Sequence, residues 1–344
     1  MLKYKTLLAG CIATGVSASV FGQAYFEVFD EAEAANGDAT LTFLETVTVG
    51  PDGTAYAFLR DTTTADVGGI TAFDGSGFTN VMTPADWTTF GSTQDYAAGN
   101  GVGIASGKAR AISSFDNNVY EVDIATGVVS EAVSAATLDV ASGVSSNFTA
   151  VFETTSDGTI YALESVSDQV LAITPGNVVS VEINTASFAA LLGGTSIGGI
   201  GVNQDVLYLG SNSSDQLLAW DTTTNTGSVV LTTAQIEAVT DDVDGRAGFG
   251  DIFYAPDGLV YFYESDSDYL LSFNPLDAAN TLAVVLTEAE FTAGPGSDTI
   301  NQLSFFDGNI AWTDTGIGYY TIPEPTAAVL LGMTGLAFMR RRRA

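Results

Sequence analysis

One short pattern recurs along this chain of 344 residues: an Asp-Gly pair set between two runs of apolar and β-branched side chains. Val49-Gly50-Pro51-Asp52-Gly53-Thr54-Ala55-Tyr56, Thr154-Thr155-Ser156-Asp157-Gly158-Thr159-Ile160-Tyr161 and Phe253-Tyr254-Ala255-Pro256-Asp257-Gly258-Leu259-Val260-Tyr261 align by eye. Glycine enters the left-handed backbone region without steric penalty, so each copy reads as a tight hairpin between antiparallel strands. Weaker copies lie at Ser106-Gly107, Gln204-Asp205 and Asp307-Gly308. With Gly53, Gly107, Gly158, Asp205, Gly258 and Gly308 as markers, the intervals are 54, 51, 47, 53 and 50 residues. A chain that repeats a hairpin at such a period must stack similar β units.

The remainder of each unit repeats as well. A third strand follows a polar turn at Gln169–Ile173, Gln216–Trp220 and Tyr269–Phe273, and a fourth at Val178–Ile183, Ser228–Leu231 and Leu282–Leu286. Next comes Ala two residues before a large apolar residue, in the pairs Ala85/Trp87, Ala136/Leu138, Ala186/Phe188, Ala234/Ile236 and Ala289/Phe291. Thr83, Ser134, Asn184, Thr232 and Thr287 stand where an N-cap would begin a short helix. Four strands per unit predict an all-β fold, a single β-propeller of about six four-stranded blades. The last unit has only three strands, Gln302–Phe306, Asn309–Thr313 and Ile317–Ile322, whereas Tyr25–Glu33 resembles Val284–Glu290. The first strand is therefore expected to complete the last blade and remove an open sheet edge. Unit two, near residues 96–140, is irregular and leaves five or seven blades open.

The two ends have a different character. Lys3 and Lys5 precede an apolar run, Leu7–Phe21, followed by Gly22-Gln23-Ala24, the pattern of a secretory signal peptide over residues 1–24. The lone cysteine, Cys11, lies inside it, so the mature body, residues 25–322, would carry neither disulfide nor thiol chemistry. At the other end stand Pro323-Glu324-Pro325, an apolar stretch, and Arg340, Arg341, Arg342 and Arg343. The stretch Ala327–Met339 is 13 residues long, whereas a spanning helix needs about 20. The four arginines favour the cytoplasmic side of a membrane. These three parts in this order resemble the PEP-CTERM sorting signal of Gram-negative bacteria. That resemblance, confined to residues 323–344, implies recognition and cleavage by an exosortase, transient association with the inner membrane, and a place at the cell surface, in the outer envelope or in an extracellular matrix rich in exopolysaccharide. An ordinary C-terminal anchor is the other reading of the same residues.

The charge is lopsided, with 41 acidic and 10 basic residues and a net −31. Once the two end segments are set aside, 40 acidic residues face only Arg60, Lys108, Arg110 and Arg246. Such a body repels nucleic acid and anionic membranes and attracts cations or basic partners. The chain contains no histidine, which excludes Ser-His-Asp and Cys-His nucleophilic sites and the usual zinc, copper and haem ligands. No phosphate-cradling loop or dinucleotide fingerprint occurs; Gly193-Gly194 and Gly198-Gly199 read as blade-linking turns.

Calcium is the cofactor the acidic residues suggest. Asp241, Asp242 and Asp244 alternate before Gly245, with Asp251 close behind, and hard cations prefer such oxygen clusters. The spacing departs from the EF-hand loop, and a solvated acidic loop is the plainer reading. A second acidic set recurs between strands two and three: Glu164/Asp168, Asp215, Glu264/Asp266/Asp268 and Asp314. It predicts one acidic face, serving either as a binding mouth or as turn chemistry. Trp87, Trp220 and Trp312 read as core or inter-blade packing. No catalytic residue is assigned. The sequence points to an exported, non-enzymatic binding or matrix-associated protein, whose partner is an extracellular polysaccharide or a surface protein. The alternative is a calcium-dependent propeller hydrolase or lactonase acting through carboxylates.

Overall fold

The computed structural model describes residues 25–37, 43–50, 52–60, 68–90, 102–113, 116–192, 196–240, 248–292, 302–306, 309–313 and 316–320. A compact unit spans Glu27–Tyr319, and the two end segments, 1–26 and 320–344, form a second unit described only at Tyr25, Phe26 and Tyr320. The sorting motif and the signal segment lie outside the described residues.

The chain opens with β1 (Tyr25–Asp30). The first blade follows as β2 (Phe43–Val49), β3 (Ala55–Arg60), β4 (Gly68–Phe73) and β5 (Phe78–Met82). The second is β6 (Val102–Ala105), β7 (Lys108–Ile112), β8 (Val119–Asp123) and β9 (Val129–Val133). The third is β10 (Phe148–Thr154), β11 (Ile160–Glu164), β12 (Gln169–Ile173) and β13 (Val179–Ile183). The fourth is β14 (Ile197–Asn203), β15 (Val206–Ser211), β16 (Gln216–Asp221) and β17 (Thr226–Leu231). The fifth is β18 (Phe249–Tyr254), β19 (Val260–Glu264), β20 (Tyr269–Phe273) and β21 (Ala283–Leu286). Last come β22 (Gln302–Phe306), β23 (Asn309–Thr313) and β24 (Gly316–Tyr320).

This is an all-β propeller of four-stranded blades. Among the described residues, blades of four consecutive strands number five, and a further four-stranded sheet has the order β1-β24-β23-β22, joining the first described strand to the last three. The sequence reading counted that composite sheet as its sixth blade. First strands neighbour one another in the series β2, β6, β10, β14, β18, β22, and β22 also neighbours β2. They are therefore the inner strands.

Position within a blade explains the residue choice. Strands β11 and β19 are buried at every residue, sandwiched between neighbouring sheets, so they read as continuous apolar runs. The fourth strand β13 is exposed at Ser180 and Val181 and buried only at Ile183, as an outer edge should be. The Asp-Gly hairpins form as the sequence predicts. Gly53, Gly158 and Gly258 adopt φ of +81°, +93° and +87°. Asp52, Asp157 and Asp257 accept from the N–H groups of Thr54, Thr159 and Leu259 at 3.0, 3.1 and 2.9 Å.

The blade-linking helices are also legible. Pro84–Phe90, Ala135–Ser142, Thr185–Leu192 and Thr233–Thr240 each bury the apolar residue that the pattern marks: Trp87, Leu138, Phe188 and Ile236. The cap at Thr83 is reciprocal, since the Asp86 N–H also donates to the Thr83 hydroxyl at 3.3 Å, and a similar cap precedes the short helix Glu288–Thr292. The Thr83 N–H donates to Asp86 at 2.9 Å, and the Thr232 and Thr287 N–H groups donate to Gln235 and Glu290, each at 2.9 Å. Asn184 accepts from the Ser187 N–H at 2.9 Å. Among the described residues no helix is long and apolar enough to cross a membrane.

Candidate functional site

Two carboxyl groups stand on inner strands: Glu153 on β10 and Asp251 on β18, with β14 between those strands in the series. Asp251 lies in a bulge. Phe249 pairs with Glu264 and Ile252 with Phe262, so Gly250 and Asp251 together oppose Tyr263. A bulge re-aims the side chain it carries. Here Asp251 Oδ2 accepts from the N–H of Leu303 on β22 at 2.6 Å, crossing from the fifth blade to the composite sheet. Glu153 Oε2 accepts from the adjacent Thr154 N–H at 3.1 Å.

These donors do not compensate for desolvation. Burial pushes the Asp251 carboxyl up to about 7, against the downward pull of the Leu303 and Ile252 N–H groups. Burial, and then the Asp251 charge, hold the Glu153 carboxyl well above the ordinary range, with the Thr154 N–H pulling the other way. By surface area both side chains are only half-buried. The protein packed around each carboxyl is nonetheless dense enough for desolvation to outweigh the donors. The two charges repel, and around neutral pH the pair retains protons that isolated carboxyls would release. Such a pair can donate as well as accept hydrogen bonds, and it can hold or deliver a proton.

Between them β14 carries three glycines among its seven residues, Gly198, Gly199 and Gly201. A Cβ on Gly199 would lie 1.9 Å from the Gly250 carbonyl oxygen, and one on Gly201 would lie 2.7 Å from that of Ile252. Strands β14 and β18 thus approach until no methyl group fits between them. The sequence reading of Gly198-Gly199 as a blade-linking turn is corrected: both residues lie within β14, and they are glycine because another backbone presses on them. Gly193 and Gly194 lie outside the described residues.

The other acidic residues have separate fates. Asp241, Asp242 and Asp244 lie outside the described residues, as does Asp314. Among the described residues no three metal-capable side chains gather around one point. Glu164 and Glu264 are buried and turn inward. Glu264 accepts from the N–H groups of Gly248, Asp266 and Ser267 at 2.9, 3.0 and 2.8 Å and from the Ser267 hydroxyl. Glu164 does the same with Asn147, Val166 and Ser167 at 3.1, 2.9 and 2.8 Å. Each ties the entry of an inner strand to the turn between strands two and three. Asp168, Asp215 and Asp268 occupy those turns at φ of +53°, +53° and +56°. For these residues turn chemistry accounts for the acidic repeat. Trp87 and Trp220 are buried, as the repeat positions imply.

Sequence reasoning missed Glu153, and it grouped Asp251 with Asp241, Asp242 and Asp244, which lie outside the described residues. The available signal was a charged residue within an otherwise apolar or small-residue strand, Phe148–Thr154 and Phe249–Tyr254.

No family model matches the chain, and no curated protein matches it. Solved structures share the fold. Virginiamycin B lyase from Staphylococcus aureus is 13% identical with a TM-score of 0.53, over 88% of this chain and 99% of that one. A catalytically inactive histidine-to-alanine form of that lyase, with quinupristin, gives 12% and 0.55, over 88% and 90%. A putative gluconolactonase gives 12% and 0.54, over 87% and 92%. At such identities the likeness shows a propeller and nothing of chemistry.

Proposed function

We propose that this chain is an exported propeller that binds a partner at the cell surface or in an extracellular matrix, and that it is not an enzyme. The observation that carries this reading is the absence of histidine from the sequence, which leaves no imidazole to serve as base or acid. At the β14–β18 seam Gly199 and Gly201 leave no room for a methyl group. The lyase of the same fold is inactive when a histidine becomes alanine, and no such residue exists here. In this reading the composite sheet is the sixth blade, with β1 as its outer strand. Pro323, Glu324 and Pro325 with Arg340–Arg343 are the sorting address, acted on by an exosortase. The net charge of −31 disfavours nucleic acid and favours a neutral polysaccharide or a basic surface protein.

The test pairs binding with turnover. The mature body is titrated with exopolysaccharide and separately incubated with panels of lactones and glycosides. Saturable binding without turnover supports the reading. Turnover that disappears in Glu153→Gln and in Asp251→Asn replaces it with the second reading, a hydrolase, for which the raised carboxyl pair is the favouring observation. Calcium enters only that second reading. A calcium-specific rise in melting temperature, absent with magnesium at equal ionic strength, would mark a site that includes Asp241, Asp242, Asp244 or Asp251.

A further inference from the structure

One corner of the third blade is apolar where its sister units are not. Val140, in the helix Ala135–Ser142 that leads into this blade, is 85% exposed, and Val166, in the turn between β11 and β12, is 57% exposed. The fold asks for neither. In the sister helices the place two residues after the buried Trp87, Phe188 or Ile236 holds Thr89, Ala190 or Ala238, each exposed. In the sister turns the place two residues after Ser211 or Glu264, which match Glu164, holds Ser213 or Asp266, each exposed. Two valines gathered in one unit, at points that elsewhere are small or polar, mark an interaction surface.

Three segments meet at this corner, and hydrogen bonds tie them together. Asp139 of the helix accepts from the Ser146 N–H at 2.6 Å. Glu164 accepts from the N–H groups of both Asn147 and Val166, and the Ser165 N–H donates to the Asn147 carbonyl at 2.8 Å. An open hollow of about 500 Å³ lies at the end of the helix, lined by Asp139, Val140, Gly143, Val144 and Ser145. Segments already tied lose little freedom when a partner settles on them.

Charge selects the occupant. Asp139 lines the hollow, and Asp168 stands in the turn that carries Val166. Between Arg110 and Arg246 the chain has no lysine or arginine, so the third and fourth blades hold no cation at all. A second copy of the chain would bring another −31 and be repelled. We propose, on the reading that this chain binds a surface partner, that the corner docks a basic peptide segment of a surface protein, with an apolar side chain set between lysines or arginines. The apolar side chain covers Val140 and Val166, and the flanking cations meet Asp139, Asp168 and the negative field of the two cation-free blades.

The test titrates the protein with two labelled peptides of equal charge, Lys-Val-Lys-Val-Lys and Lys-Ser-Lys-Ser-Lys, and reads binding by fluorescence anisotropy. The valine peptide should bind about tenfold more tightly than the serine peptide. Val140→Ala combined with Val166→Ser, which installs the residues of the sister units, should erase that preference and leave the melting temperature unchanged. Equal affinity for both peptides, binding of neither, or a preference that survives the double variant overturns the docking surface. Exopolysaccharide binding that the double variant leaves intact, with no peptide preference, would remove this corner alone. Turnover that is lost in Glu153→Gln would instead remove the reading on which it rests.

Discussion

The third and fifth blades each place one carboxylate at the end of the second strand and another kind on the inner strand, and the two positions behave oppositely. Glu164 and Glu264 are fully buried yet surrounded by donors, three backbone N–H groups and a serine hydroxyl each. Glu153 and Asp251 carry fewer donors, and the Asp251 charge acts on Glu153. Burial alone therefore does not decide what a carboxylate does. The count of donors aimed at it matters as much, and at Glu164 and Glu264 four donors make the carboxylate a staple between segments.

The comparison is broken most severely by Glu264→Ala. It would leave three backbone N–H groups and the Ser267 hydroxyl without their acceptor, and chemical denaturation should show a loss of about 4 kcal/mol. Gly199→Ala comes next. Its methyl group must displace the Gly250 carbonyl, and the expected loss is about 3 kcal/mol, with the β18 amide protons exchanging faster. Asp251→Asn should act in the opposite direction. In the unfolded chain an aspartate releases its proton near pH 4. In the fold Asp251 retains it until about 7. The fold therefore binds more protons in that window and loses stability as pH rises through it. Asp251→Asn should add about 2 kcal/mol above pH 7 and nothing below pH 4, as read from melting curves across pH. Unchanged pH dependence in both Asp251→Asn and Glu153→Gln would remove the pair from the account. The smallest effect is that of Ser267→Ala, which takes one donor from Glu264 and should cost about 1 kcal/mol.

What was legible in the sequence was local. A hairpin is written in Asp157-Gly158, because the turn needs a left-handed residue and an acceptor two positions before the strand resumes. A helix start is written in Thr232 and Gln235, because both partners of the cap lie within four residues. The inner-strand chemistry was not legible. Gly199 is glycine because of Gly250, which lies in another blade, and nothing near Gly199 in sequence announces that neighbour. Asp251 accepts from Leu303, more than fifty positions away, and nothing near Asp251 in sequence announces that donor.

The composite sheet has one more implication, for how the molecule assembles. Each of the five blades can form from one continuous stretch of chain, whereas in the composite sheet β1 ends at Asp30 and must wait for β24, which begins at Gly316. Joining them closes nearly the whole chain as a single loop, the largest entropy penalty of any pairing in the fold. That penalty grows only with the logarithm of loop length, so it slows the step more than it weakens the product. The two ends of the chain thus act as a clasp fastened last, and a truncation from either end would undo the same sheet.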